Sequence, residues 1–308
     1  MVLPAETEER VKRRALSACQ DNLRKVVDVS RKLPQLVDHF ASGDKENARR
    51  LFSEIKAVRK KYGMRTVYMI DDTFILNRDW LDEFLRCYRQ QVNLPLICLV
   101  RVDLLTEEIV KDLKAANCYS VFFGIESGNE RLRRQILGKH ISDEQIINAA
   151  GWLKKYGIKF RTYNMLGIPE ETLADAWQTV RLNIKIKTDY PWCSLLQPYP
   201  RTRIEEYARS KKLLNTDNDS ISALFFRGSL INSADKQKLV SLQKLFLLAV
   251  KFPFFLPLIK LLIMIPSNPV YDLIFSLGYA FNYRKSENLS WAEVIGMGLR
   301  NYWFLLTG

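Results

Sequence analysis

Cysteine is scarce in this sequence and nowhere clustered. The five in 308 residues, Cys19, Cys87, Cys98, Cys118 and Cys193, lie 68, 11, 20 and 75 residues apart. No C-x-x-C and no other ordinary zinc or cluster ligand set can be drawn from them. Their number is odd, and the first apolar residues are interrupted by Glu6, Glu8, Glu9 and Arg10, which argues against a secretory leader. The expected compartment is the reducing cytoplasm, with free thiols. Acidic residues are also short, 34 against 47 Lys and Arg, leaving a net charge of +13. The excess sits at the two ends, with +6 in residues 1–63 and +6 in residues 201–308. Such a balance favours anionic partners in general: nucleic acid, acidic lipid or a phosphorylated ligand. No motif interleaves stacking aromatics with basic residues, so there is no specific nucleic-acid signal. Hydrophobic residues at 47% exclude global disorder.

What is present divides into three texture regions: 1–63, 64–210 and 211–308. Over residues 5–40, Leu16, Leu23, Val26, Val27, Leu33, Leu36, Val37 and Phe40 recur at three- and four-residue steps, which predicts a helix. Ser42-Gly43-Asp44 supplies a turn, and a second basic helix is expected to about Lys61, ended by Gly63. This N-terminal helical hairpin carries no catalytic signature and resembles the opening hairpin of PhoU-like phosphate-transport regulators. From residue 64, β-rich runs (65–70, 96–100, 119–124, 159–165, 192–197) alternate with helical stretches (79–89, 106–116, 129–135, 142–156, 171–187). Five strand–helix units in series predict an α/β fold with a parallel sheet. Periodicity alone suits part of a (β/α) barrel and a doubly wound sheet equally.

Past residue 210 the alternation stops. Residues 215–220 read as a polar loop, and 242–266 form a very apolar run. It is long enough to span a bilayer. Yet Lys251, Pro253, Pro257 and Lys260 interrupt it, and a central lysine costs about 2.5–3.5 kcal/mol on insertion. Three readings follow: a buried core helix or subunit interface, attachment to an anionic membrane surface through Lys244, Lys251 and Lys260, and a true span. Further apolar stretches at 271–283 and 291–306 predict a helical C-terminal subdomain.

In parallel α/β folds, function gathers where strands end. The predicted strands run into Asp71-Asp72-Thr73, Arg101-Val102-Asp103, Gly124 to Glu130, Leu166 to Thr172, and Gln197 to Pro200. Carboxylates, hydroxyls and glycines recur at all five ends. Singly, Asp72 or Ser127 can be a helix cap and Gly128 a turn residue. Together the five ends point to a ligand mouth.

GIESGNERLRRQIL, LGIPEET and QPYPRT, preceded by IDDTF and CLVRVDLLTEEIVKDLKAANC, resemble the radical S-adenosylmethionine (radical SAM) superfamily. The likeness is greatest to members associated with a cobalamin-binding domain, and it runs from residue 54 to about 210. It implies an incomplete (β/α)6, TIM-barrel-like fold holding S-adenosylmethionine across the strand tips. On matching positions, Asp71, Asp72 and Thr73 would take the methionyl ammonium. Glu126 and Ser127 would take the ribose and carboxylate. Gly167, Ile168 and Pro169 would pack against adenine, and Pro198 and Tyr199 would offer backbone groups to its edge. Arg101 and Arg161 are placed to meet an anionic substrate.

The family's cluster loop, C-x3-C-x2-C, whose thiolates hold a 4Fe–4S cluster, has no counterpart in the sequence. No cobalamin domain is present either. Glu170 and Arg201 stand where the family usually has glycine; if those turns need positive φ, each costs on the order of 1 kcal/mol. Three expectations result. The first is a radical SAM protein, degenerate or truncated, keeping a SAM-type site without cluster ligands. The second is half of a split enzyme, for methyl transfer or radical rearrangement, whose cluster loop comes from another chain. The third is a membrane-surface or anion-docking module. The missing first barrel strand leaves an open edge that the hairpin or a partner chain would cover. The five cysteines are expected not to converge.

Overall fold

The computed structural model describes residues 45–71, 73–214, 228 and 231–298. The helix expected over 5–40 and the loop expected over 215–220 lie outside them. The chain separates into two compact units, Met1–Met64 with Asp82–Val92, and Arg65–Leu81 with Asn93–Gly308.

In the first unit, helix α1 (Lys45–Tyr62) buries Phe52 and Ile55. Phe52 meets Phe84 with ring centroids 5.5 Å apart, and Phe84 stacks on Tyr88. Gly63, at φ +64°, ends the helix by donating its N–H to Arg59 O. Phe84 and Tyr88 belong to α2 (Arg78–Gln91).

The second unit is built on β1 (Val67–Met69), β2 (Leu96–Leu99), β3 (Cys118–Glu126), β4 (Lys159–Leu166) and β5 (Tyr190–Leu195). Every neighbouring pair is parallel. The order across the sheet is β1-β2-β3-β4-β5. Sequence order without reversal is that of a barrel wall; a doubly wound sheet reverses at its switch point. The fold is an incomplete (β/α) barrel, with β1 and β5 at the two ends of the sheet.

From β2 onward the crossover helices are α3 (Glu107–Ala115), α4 (Asp143–Lys155) and α5 (Leu173–Lys185). Their starts are set locally. Thr106 caps α3, and Ser142 with Gln145 and Thr172 with Asp175 form reciprocal capping boxes on α4 and α5. Side chains of β4 alternate between faces. Thr162 and Asn164 point to α5, where both bond Asn183. Arg161 and Tyr163 lie on the opposite face beside Phe122 and Trp192.

Helix α6 (Arg203–Ser210) is capped by Thr202. The apolar C-terminal run is not one helix. It forms α7 (Lys236–Lys251), a 3-10 turn at Pro253–Phe255, and α8 (Leu256–Leu262), broken where Pro253 removes a donor. Helix α9 (Pro269–Ser286) follows, with Asn268 capping and Pro269 at its first position. No helix among the described residues is long and apolar enough to cross a membrane. Leu242, Leu245 and Phe246 of α7 bury against Trp177 and Val180 of α5 and Cys193 and Leu195 of β5. Helix α9 lies on the other face of β5: Tyr279 packs on Trp192 at 4.3 Å, and Asn282 donates to Pro191 O.

Candidate functional site

Parallel pairing in sequence order puts the carboxyl ends of all five strands at one rim. Asp71, Glu126, Gly167 and Pro198 therefore stand past the ends of β1, β3, β4 and β5 on the same edge. Asp72 lies outside the described residues.

Glu126 closes β3 and is the most unusual residue of the rim. Pairing with β4 slips between Gly124 and Glu126, Glu126 sits at φ +66°, and the next N–H, of Ser127, turns back to Ile125 O. A non-glycine residue in the left-handed region costs on the order of 1–3 kcal/mol and is concentrated at functional sites. The Glu126 carboxylate is held by Lys139 Nζ at 2.7 Å. Both side chains occupy space that only glycine leaves: a Cβ on Gly124 would come within 1.9 Å of Glu126 Oε1 and 2.7 Å of Lys139 Nζ. Beside them a cavity of about 120 Å³ is lined by Arg101, Val102, Phe122, Gly124, Lys139 and Tyr163, among others. It is smaller than the ~300–1,000 Å³ of most ligand pockets, so it suits one end of a ligand lying across the rim.

Arg133, unremarkable in sequence, organises this corner. It is fully buried in a π-helical turn (Leu132–Ile136). Its guanidinium donates to Ser127 O at 2.7 Å, to Ile141 O at 3.1 Å and to Asp143 at 2.5 Å. The clamp ties the turn after Glu126 to the start of α4, and Lys139 N donates to Arg133 O. Nothing in ERLRR separates a buried arginine from its exposed neighbours, so the pattern could not reveal it.

Ser127 is engaged in the local turn. Its N–H goes to Ile125, its carbonyl takes Arg133, and its Oγ accepts from Asn129 N. The side chain is fully buried. The helical turn that follows is capped by Asn129, whose Oδ1 accepts from Leu132 N. Ile168 is likewise fully buried, in a cluster with Leu132, Leu196 and Ala208, and its carbonyl accepts from Glu171 N. Gly167 has φ +77°, and Pro169 is buried. The turn these residues make is braced by Glu171, which the sequence reading passed over. One oxygen, Oε2, accepts from Gly167 N at 2.6 Å and Ile168 N at 3.3 Å. Burial pushes the Glu171 carboxyl up to about 8, against the lowering effect of those two N–H groups.

At the remaining tips, Thr73 accepts from Leu76 N while Phe74 N bonds Leu99 O, folding the Asp71 loop over β2. Pro198 is buried and Tyr199 exposed. Arg101 forms a two-point pair with Asp103, and the guanidinium holds that carboxyl below its usual range. Arg161 is not at the rim. It lies near the start of β4, buried among Phe122, Tyr163, Trp192 and Tyr283, and pairs with Glu287 at 2.9 Å. Its charge is met inside the protein, which gives it a structural place instead of the anion contact expected from sequence.

The thiols do not follow expectation entirely. Cys98 and Cys118 hydrogen-bond across β2 and β3, and this bond with burial pushes Cys98 well above its ordinary pKa. Adjacent strands thus bring together two cysteines twenty residues apart. Cys193 is buried and also raised by burial, and Cys87 is on α2.

A radical SAM superfamily profile matches residues 40–182. That segment, just under half of the chain, is similar to the radical SAM superfamily. An uncharacterized methyltransferase of Pyrococcus horikoshii is 32% identical over 170 residues, 55% of this chain and 37% of that one. Cytidylyl-2-hydroxyethylphosphonate methyltransferase of Streptomyces wedmorensis is 25% identical over 121 residues, 38% of this chain and 22% of that one. The chain thus spans about a third or less of these relatives' lengths. Among solved structures, the radical SAM methyltransferase TsrM of Kitasatospora setae, with cobalamin and a 4Fe–4S cluster bound, aligns at TM-score 0.48. It is 19% identical, over 55% of this chain and 35% of its own.

The family's two cofactors fit this chain differently. The rim offers a carboxylate, a glycine cradle and backbone groups, which suit S-adenosylmethionine. Among the described residues no three Cys, His, Asp or Glu side chains group as metal ligands. The Cys98, Cys118 and Cys193 thiols are buried in strands, the Cys118 bond with burial raises the pKa of Cys98 and burial that of Cys193, and the three do not fit a 4Fe–4S cluster.

Proposed function

We propose that this chain binds S-adenosylmethionine at the carboxyl-end rim of its sheet, with Glu126 as the principal side chain, and that it does not assemble the 4Fe–4S cluster by itself. The observation that carries the reading is Glu126 itself: a carboxylate in a strained turn, folded into space left by Gly124 and tethered by Lys139. Lys139 takes Oε1, leaving Oε2 for ribose hydroxyls or an ammonium group. The curated relatives' names support methyl transfer as the reaction in which such a site would serve once the cluster is supplied. A second reading rests on β1, which pairs only with β2 among the described residues. A partner polypeptide that adds a strand there would bring the missing thiolates, making this chain half of a split enzyme.

Calorimetric titration with S-adenosylmethionine tests the first reading. The wild type is expected to bind, and Glu126→Gln to bind roughly ten- to a hundredfold more weakly, about 1–3 kcal/mol for a charged hydrogen-bond partner. Equal affinities would remove Glu126 from the site. Anaerobic iron–sulfur reconstitution tests the second half. Stoichiometric iron and sulfide, with 5′-deoxyadenosine formed under reductant, would restore an enzyme complete in this chain.

A further inference from the structure

Folding normally turns the apolar side of a helix inward, and α7 obeys. Helix α8 does not. Ile259 and Ile263 face the core, but Leu258 and Leu261 point to solvent, Leu261 at 70% exposure. Immediately before it Phe254 is 71% exposed, and immediately after it Met264 and Ile265 are exposed too. Between Phe252 and Ile265 the only polar side chain is Lys260. Helix α9 continues the surface. Its Tyr271, Asn282 and Ser286 are buried, while Val270, Leu273, Leu277 and Phe281 are exposed at three- and four-residue steps along one stripe. The two stretches join physically, since Tyr271 Oη donates to Leu262 O. The stripe runs on through Phe281 to Trp291, whose rings are 6.2 Å apart.

Charge identifies the occupant. From Lys236 to Tyr271 there are five lysines and no acidic residue. Lys260 is exposed within the apolar surface, and Lys285 is exposed with its ammonium over Phe281 at 4.4 Å. Asp272, Glu287 and Glu293, the acids of the following segment, are paired with Lys244, Arg161 and Arg65. A protein partner would be met by a polar rim and hydrogen-bonding groups; this surface offers apolar side chains, an aromatic cluster and cations. At seven residues α8 is about 10 Å long, far short of a bilayer core of about 30 Å, so it can lie in the interface and not cross it.

We propose that the exposed face of α8 and α9 docks on an anionic lipid bilayer, inserting Phe254, Leu258 and Leu261 below the headgroups while Lys260 and Lys285 meet lipid phosphates. This does not depend on the SAM site. Flotation of the full chain tests it with vesicles of phosphatidylcholine alone and of phosphatidylcholine mixed with phosphatidylglycerol. The wild type is expected to float with the anionic vesicles and to stay behind with the neutral ones. Paired substitutions Leu258→Gln with Leu261→Gln, and Leu273→Gln with Leu277→Gln, are expected to lower partition by about tenfold or more each, from the apolar area withdrawn. Lys260→Glu is expected to weaken only anionic binding, by about fivefold or more. Flotation with neither vesicle, or equal flotation with both, would overturn the proposal. So would a dimer in gel filtration that the leucine substitutions dissociate without any vesicle binding, which would make the face an interface between copies of this chain.

Discussion

At the scale of single residues, the rim stores its strain in side-chain-bearing residues where glycine would be free. Glu126, Glu170 and Arg201 all have φ near +65°. The last two are the positions read from sequence as standing in place of a glycine, and the structure confirms that both turns need the left-handed region. Their compensation differs. Glu170 accepts from Tyr207 Oη at 2.6 Å and pairs with Arg131 and Lys211, so its carboxyl is held below its usual range, first by Tyr207. No hydrogen bond or ion pair of the exposed Arg201 side chain is seen among the described residues. Arg201→Gly should therefore raise stability by about 1 kcal/mol in denaturant unfolding, and Glu170→Gly by clearly less, because it removes three contacts along with the strain. Equal gains would mean that the Glu170 contacts are worth nothing in solution. Glu126 was legible as a strand-end carboxylate. Its partner Lys139 was not, since thirteen residues and a π-helical turn separate them and no periodicity spans that distance.

At the scale of elements, alternation and helical period marked all five strands and the crossover helices to within a few residues. Capping residues are local signals, and Ser142 and Thr172 start their helices as such sequences do. The order of strands was not legible, because it is a long-range property that each strand's own pattern leaves open. Nor was the turn joining β4 to α5, where the neighbours Glu170 and Glu171 go opposite ways, one exposed and strained, the other buried and bracing. Glu171 makes that turn sensitive to pH. Its carboxyl titrates at about 8 in the folded protein against an ordinary 4.5. Between those values the native state keeps a proton that the unfolded chain has released, so stability falls as pH rises through this window. At about 1.4 kcal/mol per pH unit, the effect amounts to a few kcal/mol at most. Glu171→Gln stays neutral and can still accept from Gly167 and Ile168. Thermal unfolding between pH 5 and 8 should show a falling midpoint for the wild type and a flatter one for the variant. Parallel profiles would place the titration elsewhere.

At the scale of the whole second unit, a buried ion pair joins the C-terminal helices to the sheet, beside the packing of α7 and the Asn282–Pro191 hydrogen bond. Arg161 on β4 and Glu287 just past α9 are 126 residues apart, and their side chains are only 5% and 9% exposed. Arg161 also donates to Ser286 Oγ and lies 4.2 Å over the Phe122 ring. Burial raises the Glu287 carboxyl while Arg161 opposes the rise. Nothing in either local sequence announces the pair, because each residue alone reads as a surface charge. Two desolvated charges of this kind contribute little net stability, but removing one strands the other. Glu287→Ala should cost about 3–5 kcal/mol, since it leaves a guanidinium buried among aromatic rings with no carboxylate. Arg161→Met combined with Glu287→Leu, which removes both charges and keeps volume, should recover most of that loss. A double-mutant cycle by urea unfolding reads the coupling directly. If Glu287→Ala costs less than about 1 kcal/mol, the value of an exposed pair, the C-terminal helices are held by the α7 packing and the Asn282 bond, and the ion pair fastens nothing.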